Sequence, residues 1–315
     1  MRAFKTFFWA ITLTFLPLLA LDNPPPPLMG KEHPINLEGV GHKYLNIAYA
    51  SQSKAQKLDI YLPKQGKAPY PVILAIHGGG FAFGDKNSGE INPSMQALKR
   101  GYAVIAANYR LSKEAPFPAP IFDLKAAVRF IKAHASAYHL NPRIIIAWGY
   151  SAGGNLAAML GTTAGHPELE DLSLGNAREN SHISAVIDFY GPIDFKTMYT
   201  QKQEAHMHLG NPDTSPESQY LGQPLSKIKN FVDFSSPQSY VCKKSVPFFI
   251  MHGLSDPFVP PKQSAIFAQV LEKAIGTNQV RFVALKGAGH GGAAFEKPQN
   301  LNLVFDFLKG LHLAP

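Results

Sequence analysis

Residues 143–153 have the sequence Arg-Ile-Ile-Ile-Ala-Trp-Gly-Tyr-Ser-Ala-Gly, an apolar run that changes abruptly into glycine and serine. The apolar part fits a buried strand, and a helix-like segment, residues 155–160, follows the pentapeptide G-x-S-x-G. A strand that turns so sharply into a helix needs glycines beside the serine, because Cβ atoms would clash there. The pattern predicts that the hydroxyl of Ser151 stands at a sheet edge as a candidate nucleophile.

Further apolar runs on both sides of this stretch indicate the rest of a sheet. Their composition is typical of parallel strands buried on both faces, and they occupy residues 72–76, 102–107, 183–190, 246–251 and 280–285. Two shorter, partly alternating runs, at residues 44–50 and 58–62, predict an antiparallel pair at a sheet edge. Segments with helical spacing lie at residues 121–138, 264–275 and 302–311. The alternation predicts an α/β fold, a mostly parallel sheet flanked by helices, with its site at the carboxyl ends of the strands.

The 315 residues and an apolar content of 45% are enough for one large core. We place this domain at residues 44–311. Residues 192–245 interrupt the alternation, because they are polar, contain Pro212, Pro216 and Pro224, and have little strand character. Long connections within compact domains are usually functional or disordered. We expect a small, partly helical cap insertion here, and a surface insertion without a role is the alternative.

The first twenty residues have the composition of an export signal. The basic residues Arg2 and Lys5 flank the start of a short apolar run, residues 7–16, and Ala20 offers a small side chain at a cleavage point. Residues 1–20 are therefore predicted to be a signal peptide, and residues 21–43 a Pro-rich spacer. We expect an exported chain, periplasmic or secreted, and an uncleaved membrane anchor is the alternative. Because Cys242 is the only cysteine, no internal disulfide can form.

The formal net charge of +8 is spread along the chain and forms no block. Proteins that bind nucleic acids usually cluster their basic residues on one face or in a tail. We therefore expect no nucleic-acid partner and only loose attraction to anionic surfaces. No pair of histidines or carboxylates has the spacing of metal ligands, and no phosphate loop or dinucleotide fingerprint occurs. The sequence thus predicts neither a metal nor a cofactor.

A glycine run, His77-Gly-Gly-Gly80-Phe, directly follows the apolar run 72–76. Without Cβ atoms, main-chain N–H groups can approach a substrate and point at the oxyanion that develops during acyl transfer, each contributing roughly 3 kcal/mol. The N–H of Ala152, just after the candidate nucleophile, would supply a further donor. A flexible turn is the alternative, but the occurrence of G-x-S-x-G downstream favours an oxyanion hole.

A serine nucleophile needs a base, and the base needs a carboxylate that orients it. His290 is the candidate base among twelve histidines, because it lies in a glycine-rich loop directly after the last apolar run. His77 and His252 each precede a glycine at a strand end and are expected to shape turns rather than to carry protons.

Three aspartates compete for the role of the orienting acid. Asp256 follows the apolar run 246–251 and precedes His290, which is the chain order of this kind of site. Asp188 lies inside an apolar run and is expected to be buried, and Asp194 is a candidate cap of a turn. Chain order and strand-end placement favour Asp256.

Six motifs in combination resemble those of the α/β-hydrolase esterases of the hormone-sensitive-lipase and bifunctional carbohydrate-esterase groups. They are His77-Gly-Gly-Gly-Phe, Tyr109-Arg-Leu-Ser, Gly149-Tyr-Ser-Ala-Gly-Gly, Ser236-Pro, Pro247-Phe-Phe-Ile-Met-His-Gly and Gly287-Ala-Gly-His-Gly-Gly. The resemblance extends from about Tyr44 to Leu311. It implies a catalytic triad of Ser151, Asp256 and His290, with oxyanion donors at the N–H groups of Gly79, Gly80 and Ala152.

The same resemblance implies a serine-dependent carboxylic-ester hydrolase that works through an acyl-enzyme. The acid motif, His252-Gly-x-x-Asp-x-x-Val-Pro, resembles that of carbohydrate esterases and peptidases more than that of lipase-like members. Short acyl esters and acylated carbohydrates are therefore both open as substrates. The alternatives are an amidase, such as an arylformamidase, or a peptidase on the same triad, and a non-catalytic binding protein that has kept the fold.

Overall fold

Eight strands form one sheet in the computed structural model, which describes residues 33–228 and 231–315. The strands are β1 Val40–Ala48, β2 Lys57–Pro63, β3 Tyr70–Ile76, β4 Ala103–Ala107, β5 Leu140–Tyr150, β6 Ala185–Phe189, β7 Phe248–Gly253 and β8 Val280–Leu285. Their order across the sheet is β1-β2-β4-β3-β5-β6-β7-β8. Only the pairs β1–β2 and β2–β4 among the described strands are antiparallel. The predicted mostly parallel sheet with an antiparallel edge is confirmed.

Helices cover both faces of the sheet. Those of the described residues are α1 Asn92–Met95, α2 Ala119–Ala133, α3 Ala152–Thr162, α4 Phe195–Glu204, α5 Pro216–Leu221, α6 Pro261–Ile275, α7 Ala293–Glu296 and α8 Pro298–Gly310. Alternate residues of a strand point to opposite faces, so Leu74 packs with α2, α3 and α6 on one face, while Ile73 packs with α1 and α8 on the other. The loops of the site begin at the carboxyl ends of the parallel strands.

The two edges of the sheet differ from the sequence prediction. β1 begins at Val40, within the segment 21–43 predicted as a spacer, because an exposed edge strand needs no apolar run on its outer side. Residues ahead of it are also tied to the body, since the carbonyl of His33 accepts from the N–H of Gly89. β8 is the opposite edge strand and is half-buried, so the prediction that its run is buried on both faces is wrong.

The predicted insertion 192–245 contains α4 and α5 together with short 3₁₀ turns. Residues 1–32, and with them the predicted signal peptide and most of the predicted spacer, lie outside the described residues. No helix within residues 33–228 or 231–315 combines the length and the apolar character needed to cross a bilayer.

Candidate active site

Ser151 occupies the sharp turn between β5 and α3. Its backbone angles, φ 52° and ψ −120°, lie in a region that residues other than glycine rarely adopt. The flanking glycines make the turn possible, because a Cβ on Gly149 would lie 1.9 Å from the carbonyl oxygen of Gly153 and one on Gly153 would lie 2.2 Å from that of Ile76. The turn is held by a hydrogen bond of 2.9 Å from the N–H of Ser151 to the carbonyl of Phe189 on β6.

The structure brings Ser151, His290 and Asp256 together from three separate strand ends. His290, in the loop after β8, has Nε2 2.8 Å from Oγ of Ser151 and Nδ1 2.6 Å from Oδ2 of Asp256. Asp256 lies in the loop after β7. A carboxylate only accepts, so Nδ1 of His290 carries the proton and Nε2 is free to accept from the serine hydroxyl. Ser151 itself is 6% exposed, more enclosed than a hydroxyl standing free at the sheet edge.

The carboxylate of Asp256 is buried and accepts hydrogen bonds at both oxygens. Oδ1 accepts from the N–H groups of Phe258 at 2.8 Å and Val259 at 2.9 Å, while Oδ2 faces His290 and also Nε2 of His252 at 3.1 Å. Burial by itself would raise the pKa of Asp256, but the hydrogen bonds from His252 and His290 hold it well below its ordinary value. Asp256 is therefore ionised throughout the neutral pH range, as an orienting acid requires.

Two residues that the sequence analysis did not single out pack against the imidazole of His290. The ring of Tyr190, directly after β6, lies 4.7 Å from it, and the ring of Phe258 lies 5.3 Å away in an edge-on arrangement. These rings limit the rotation of His290. Position at a strand end was a usable signal for Tyr190, but nothing in the sequence indicated that its ring would contact the base.

His252 also has a different role from the predicted one. Its role is not limited to shaping a turn, because its buried ring hydrogen-bonds to the candidate acid, Asp256, four residues later. The motif His252-Gly-x-x-Asp256 was the available signal. The other histidine judged a turn former, His77, does make a local bond from Nδ1 to the carbonyl of Gly78, and it stacks on Tyr109 at 4.5 Å.

The rival aspartates lie away from the base. Asp194 is the N-cap of α4, where its carboxylate accepts from the N–H of Lys196 and from the hydroxyl of Thr197. Asp188 is fully buried beneath the serine turn and accepts from the N–H of Gly191 at 2.9 Å. Burial raises the pKa of Asp188 to about 6, while the bond from Gly191 acts in the opposite direction. Neither carboxylate hydrogen-bonds to His290 in the described residues.

Replacing Asp188 with asparagine is expected to remove a pH-dependent cost to folding. The folded-state pKa of Asp188, about 6, lies above the ordinary value of 3.8. The contribution of its protonated carboxyl to the free energy of unfolding is therefore complete below pH 3.8, and it is lost as the pH rises through 6. The variant should therefore gain stability over the wild type between pH 4 and pH 7, by on the order of 3 kcal/mol. Urea unfolding of both proteins across this range measures the gain, and a difference that does not change with pH would contradict it.

The glycine run after β3 forms a loop beside the serine turn. Gly79 and Gly80 have φ of 103° and 57°, and a Cβ on Gly79 would lie 2.1 Å from the carbonyl oxygen of Phe83. The N–H of Gly78 is taken by the carboxylate of Glu90 at 2.7 Å. Within residues 33–228 and 231–315, no carbonyl or side chain accepts from the N–H groups of Gly79, Gly80 or Ala152. These three groups remain available to an acceptor from outside the chain.

The insertion 192–245 packs directly on this loop. Phe81, at the end of the glycine run, stacks on Tyr220 of α5 with ring centroids 3.9 Å apart and meets Phe195 of α4 edge-on at 6.1 Å. A Cβ on Gly80 would lie 3.3 Å from Pro216, the first residue of α5. The insertion therefore supports the loop that presents the free N–H groups.

The chain is similar in sequence to a curated bacterial ester hydrolase. LipM of Mycobacterium tuberculosis (strain ATCC 25618 / H37Rv), a probable carboxylic ester hydrolase, is 33% identical over 236 residues, which cover 72% of this chain and 51% of LipM. This chain thus spans about half the length of that curated relative. The motif-based resemblance to esterases is confirmed by this similarity.

Two solved structures share the fold. A truncated form of a carbohydrate esterase from gut microbiota is 31% identical, with a TM-score of 0.78 over 89% of this chain and 100% of that chain. A bifunctional GH43-CE protein of Bacteroides eggerthii is 29% identical, with a TM-score of 0.73 over 85% of this chain and 38% of that chain. The BD-FAE family model matches residues 58–271, about two thirds of the sequence. Because this family model matches more than half of the sequence, and the sheet is that of an α/β-hydrolase, the chain belongs to the BD-FAE family.

Proposed function

We propose that this protein is a carboxylesterase that works by two-step acyl transfer on Ser151. The observation that carries the proposal is the continuous series of hydrogen bonds from Asp256 through His290 to the hydroxyl of Ser151, with distances of 2.6 and 2.8 Å. A base at this distance can take the serine proton as the nucleophile attacks. The similarity to LipM and to a carbohydrate esterase supports esters as substrates.

In the first step, Oγ of Ser151 bonds to the ester carbonyl carbon while its proton passes to Nε2 of His290. The negative charge moves to the carbonyl oxygen, where the N–H groups of Gly79, Gly80 and Ala152 would receive it. His290 then gives its proton to the leaving alcohol, and the acyl group stays on Ser151. In the second step, water attacks the acyl carbon and loses a proton to His290. His290 then returns this proton to Oγ of Ser151 as the bond between the acyl carbon and Oγ breaks, which releases the acid and restores the serine hydroxyl. Asp256 stabilises the imidazolium at each stage.

We propose acylated carbohydrates and short acyl esters as the substrate class. The names of the similar solved structures, a carbohydrate esterase and a GH43-CE protein, support the carbohydrate half of this proposal. The insertion 192–245, which packs against the loop of Gly79 and Gly80, is proposed to act as the cap that limits which substrates enter.

A matched substrate panel tests the activity. It comprises phenyl esters of two to eight acyl carbons, acetylated and feruloylated xylo-oligosaccharides, and the anilide, formamide and peptide analogues of the best ester. We expect the highest kcat/KM on an ester, with the amide analogues slower by orders of magnitude. A higher kcat/KM on the formamide or the peptide would replace the proposal with an amidase or a peptidase. If no member of the panel is turned over and a fluorophosphonate does not label Ser151, the protein is a non-catalytic binding protein.

We also propose that the chain is exported, on the basis of the composition of residues 1–20. The mature protein from its native cells should then begin near Leu21 or Asp22. N-terminal sequencing measures this directly, and a membrane-bound form that starts at Met1 would contradict cleavage.

A further inference from the structure

His252 is a second histidine on the carboxylate of Asp256. It lies in β7, at the carboxyl end of the strand, and is fully buried. Its Nε2 lies 3.1 Å from Oδ2 of Asp256 and 3.1 Å from the carbonyl oxygen of Val259, while its Nδ1 lies 2.7 Å from Oγ of Ser264 on α6. Both ring nitrogens therefore have partners, and among the described residues none of these partners hydrogen-bonds to Ser151.

The partners determine where the protons lie. Nε2 faces two oxygens that only accept, so it carries a hydrogen. Nδ1 faces a hydroxyl that can donate to it, so a neutral ring with its proton on Nε2 satisfies every group at this place. Ser264 is itself fully buried, and its bond to Nδ1 keeps the ring from turning over.

The consequence concerns Oδ2 of Asp256, which receives hydrogens from two imidazoles. His290 donates at 2.6 Å and His252 at 3.1 Å, so the negative charge that would stabilise His290 is shared. Charged groups that face His252 are Asp256 on the following loop and Asp188 on the neighbouring β6, with His290 beyond Asp256. The N–H groups of Phe258 and Val259 hold the other oxygen, so the carboxylate has donors at both ends.

We propose that His252 is a positioning residue of the ester-hydrolysing site, which fixes the carboxylate of Asp256 and limits how strongly it holds the His290 imidazolium. Ser264 fixes His252 in turn. The proposal rests on the function proposed above. His252 belongs to the acid motif but not to the triad, and it would act on His290 through two hydrogen bonds that meet at Asp256.

The test is the pH profile of kcat/KM for the best ester, measured for the wild type, His252→Leu and His252→Gln. Loss of the donor in His252→Leu leaves Oδ2 with His290 alone, so the imidazolium is held more strongly. The acid limb of the profile should then move to higher pH by about half a unit to one unit, and kcat should fall about 10- to 100-fold, as expected for a lost hydrogen bond to a charged group. His252→Gln, whose amide can donate to Asp256 and accept from Ser264, should restore most of both.

Controls separate this effect from simple structural damage. His182→Gln, a change of the same kind at an exposed histidine, should leave the profile unchanged. Fluorophosphonate titration counts intact sites, so kcat is expressed per reactive Ser151. If the wild type neither turns over esters nor reacts with the probe, the proposed function fails. If it does both and His252→Leu keeps the wild-type acid limb, only the role of His252 fails.

A second variant covers the case in which His252→Leu does not fold. Ser264→Ala removes only the hydroxyl that orients the ring, and it should shift the acid limb in the same direction by a smaller amount. In proton NMR, the low-field signal of the His290–Asp256 hydrogen bond should also move relative to the wild type. An acid limb and a low-field signal that both stay at their wild-type positions in Ser264→Ala would overturn the proposal.

Discussion

Replacing Ser151 with alanine is expected to abolish ester hydrolysis and to leave the protein folded. The hydroxyl oxygen of Ser151 lies 2.8 Å from Nε2 of His290, and without it no acyl-enzyme can form on this residue. Removal of the nucleophile in a site of this type costs about 10⁶-fold in kcat. Alanine can occupy the same strained backbone angles as serine, and one hydrogen bond is lost, so the free energy of unfolding should change by about 1 kcal/mol or less.

The measurement is kcat on a phenyl ester together with labelling by a fluorophosphonate. Ser255→Ala is the matched control, because Ser255 is an exposed serine next to Asp256 whose hydroxyl makes no hydrogen bond among the described residues. The control should keep wild-type turnover and labelling. More than a few per cent of wild-type kcat in Ser151→Ala would show that another group is the nucleophile.

The site residues differ in how far the sequence could identify them. Ser151 was predictable because its motif and the preceding buried strand are local, and the required turn leaves glycine as the only solution on either side. His290 and Asp256 could be placed by chain order, since the loops after β7 and β8 must meet at one edge of a parallel sheet. Their hydrogen bonds in the structure match that placement, and their catalytic roles stay predictions until variants are measured.

The parts that could not be predicted depend on contacts between distant segments. Tyr190 reaches His290 from a different strand end, and the hydroxyl of Ser264 reaches His252 from a helix on one face of the sheet. No local pattern encodes either approach. The start of β1 at Val40 could not be predicted either, because an exposed edge strand has polar residues on its open side.

Asp188 also lies between Ser151 and His290 in the chain, so its placement relative to the strand ends is what distinguishes it from Asp256. Asp188 lies in β6, paired in register with Gly149 of β5, which puts it beneath the serine turn instead of beyond the strand ends. There it is buried with one oxygen unpaired among the described residues, and its raised pKa follows from that burial. Asp256 is nearly as buried but has four donors, and its pKa is lowered. Hydrogen bonding, and not burial, separates the two carboxylates.

Replacing Asp256 with asparagine should lower kcat by several orders of magnitude with little effect on substrate binding. An amide in this place can donate to Nδ1 of His290, which stabilises the wrong tautomer and leaves Nε2 unable to accept the serine proton. The amide also carries no charge to balance the imidazolium. The corresponding change in a serine protease costs about 10⁴-fold. Steady-state kcat and KM on a phenyl ester, with folding checked by circular dichroism, measure the effect.

Asp194→Asn is the matched control, because the carboxylate of Asp194 caps α4 and bonds within its first turn. Asparagine is also a good N-cap, so the change should cost at most about 1 kcal/mol of stability and leave kcat unchanged. An inactive Asp194→Asn together with an active Asp256→Asn would move the acid to the loop after β6, against the contacts in the structure. Equal losses in both variants would mean that the two carboxylates act through one network. The hydrogen bond of 2.6 Å from His290 to Asp256 leads us to expect neither result.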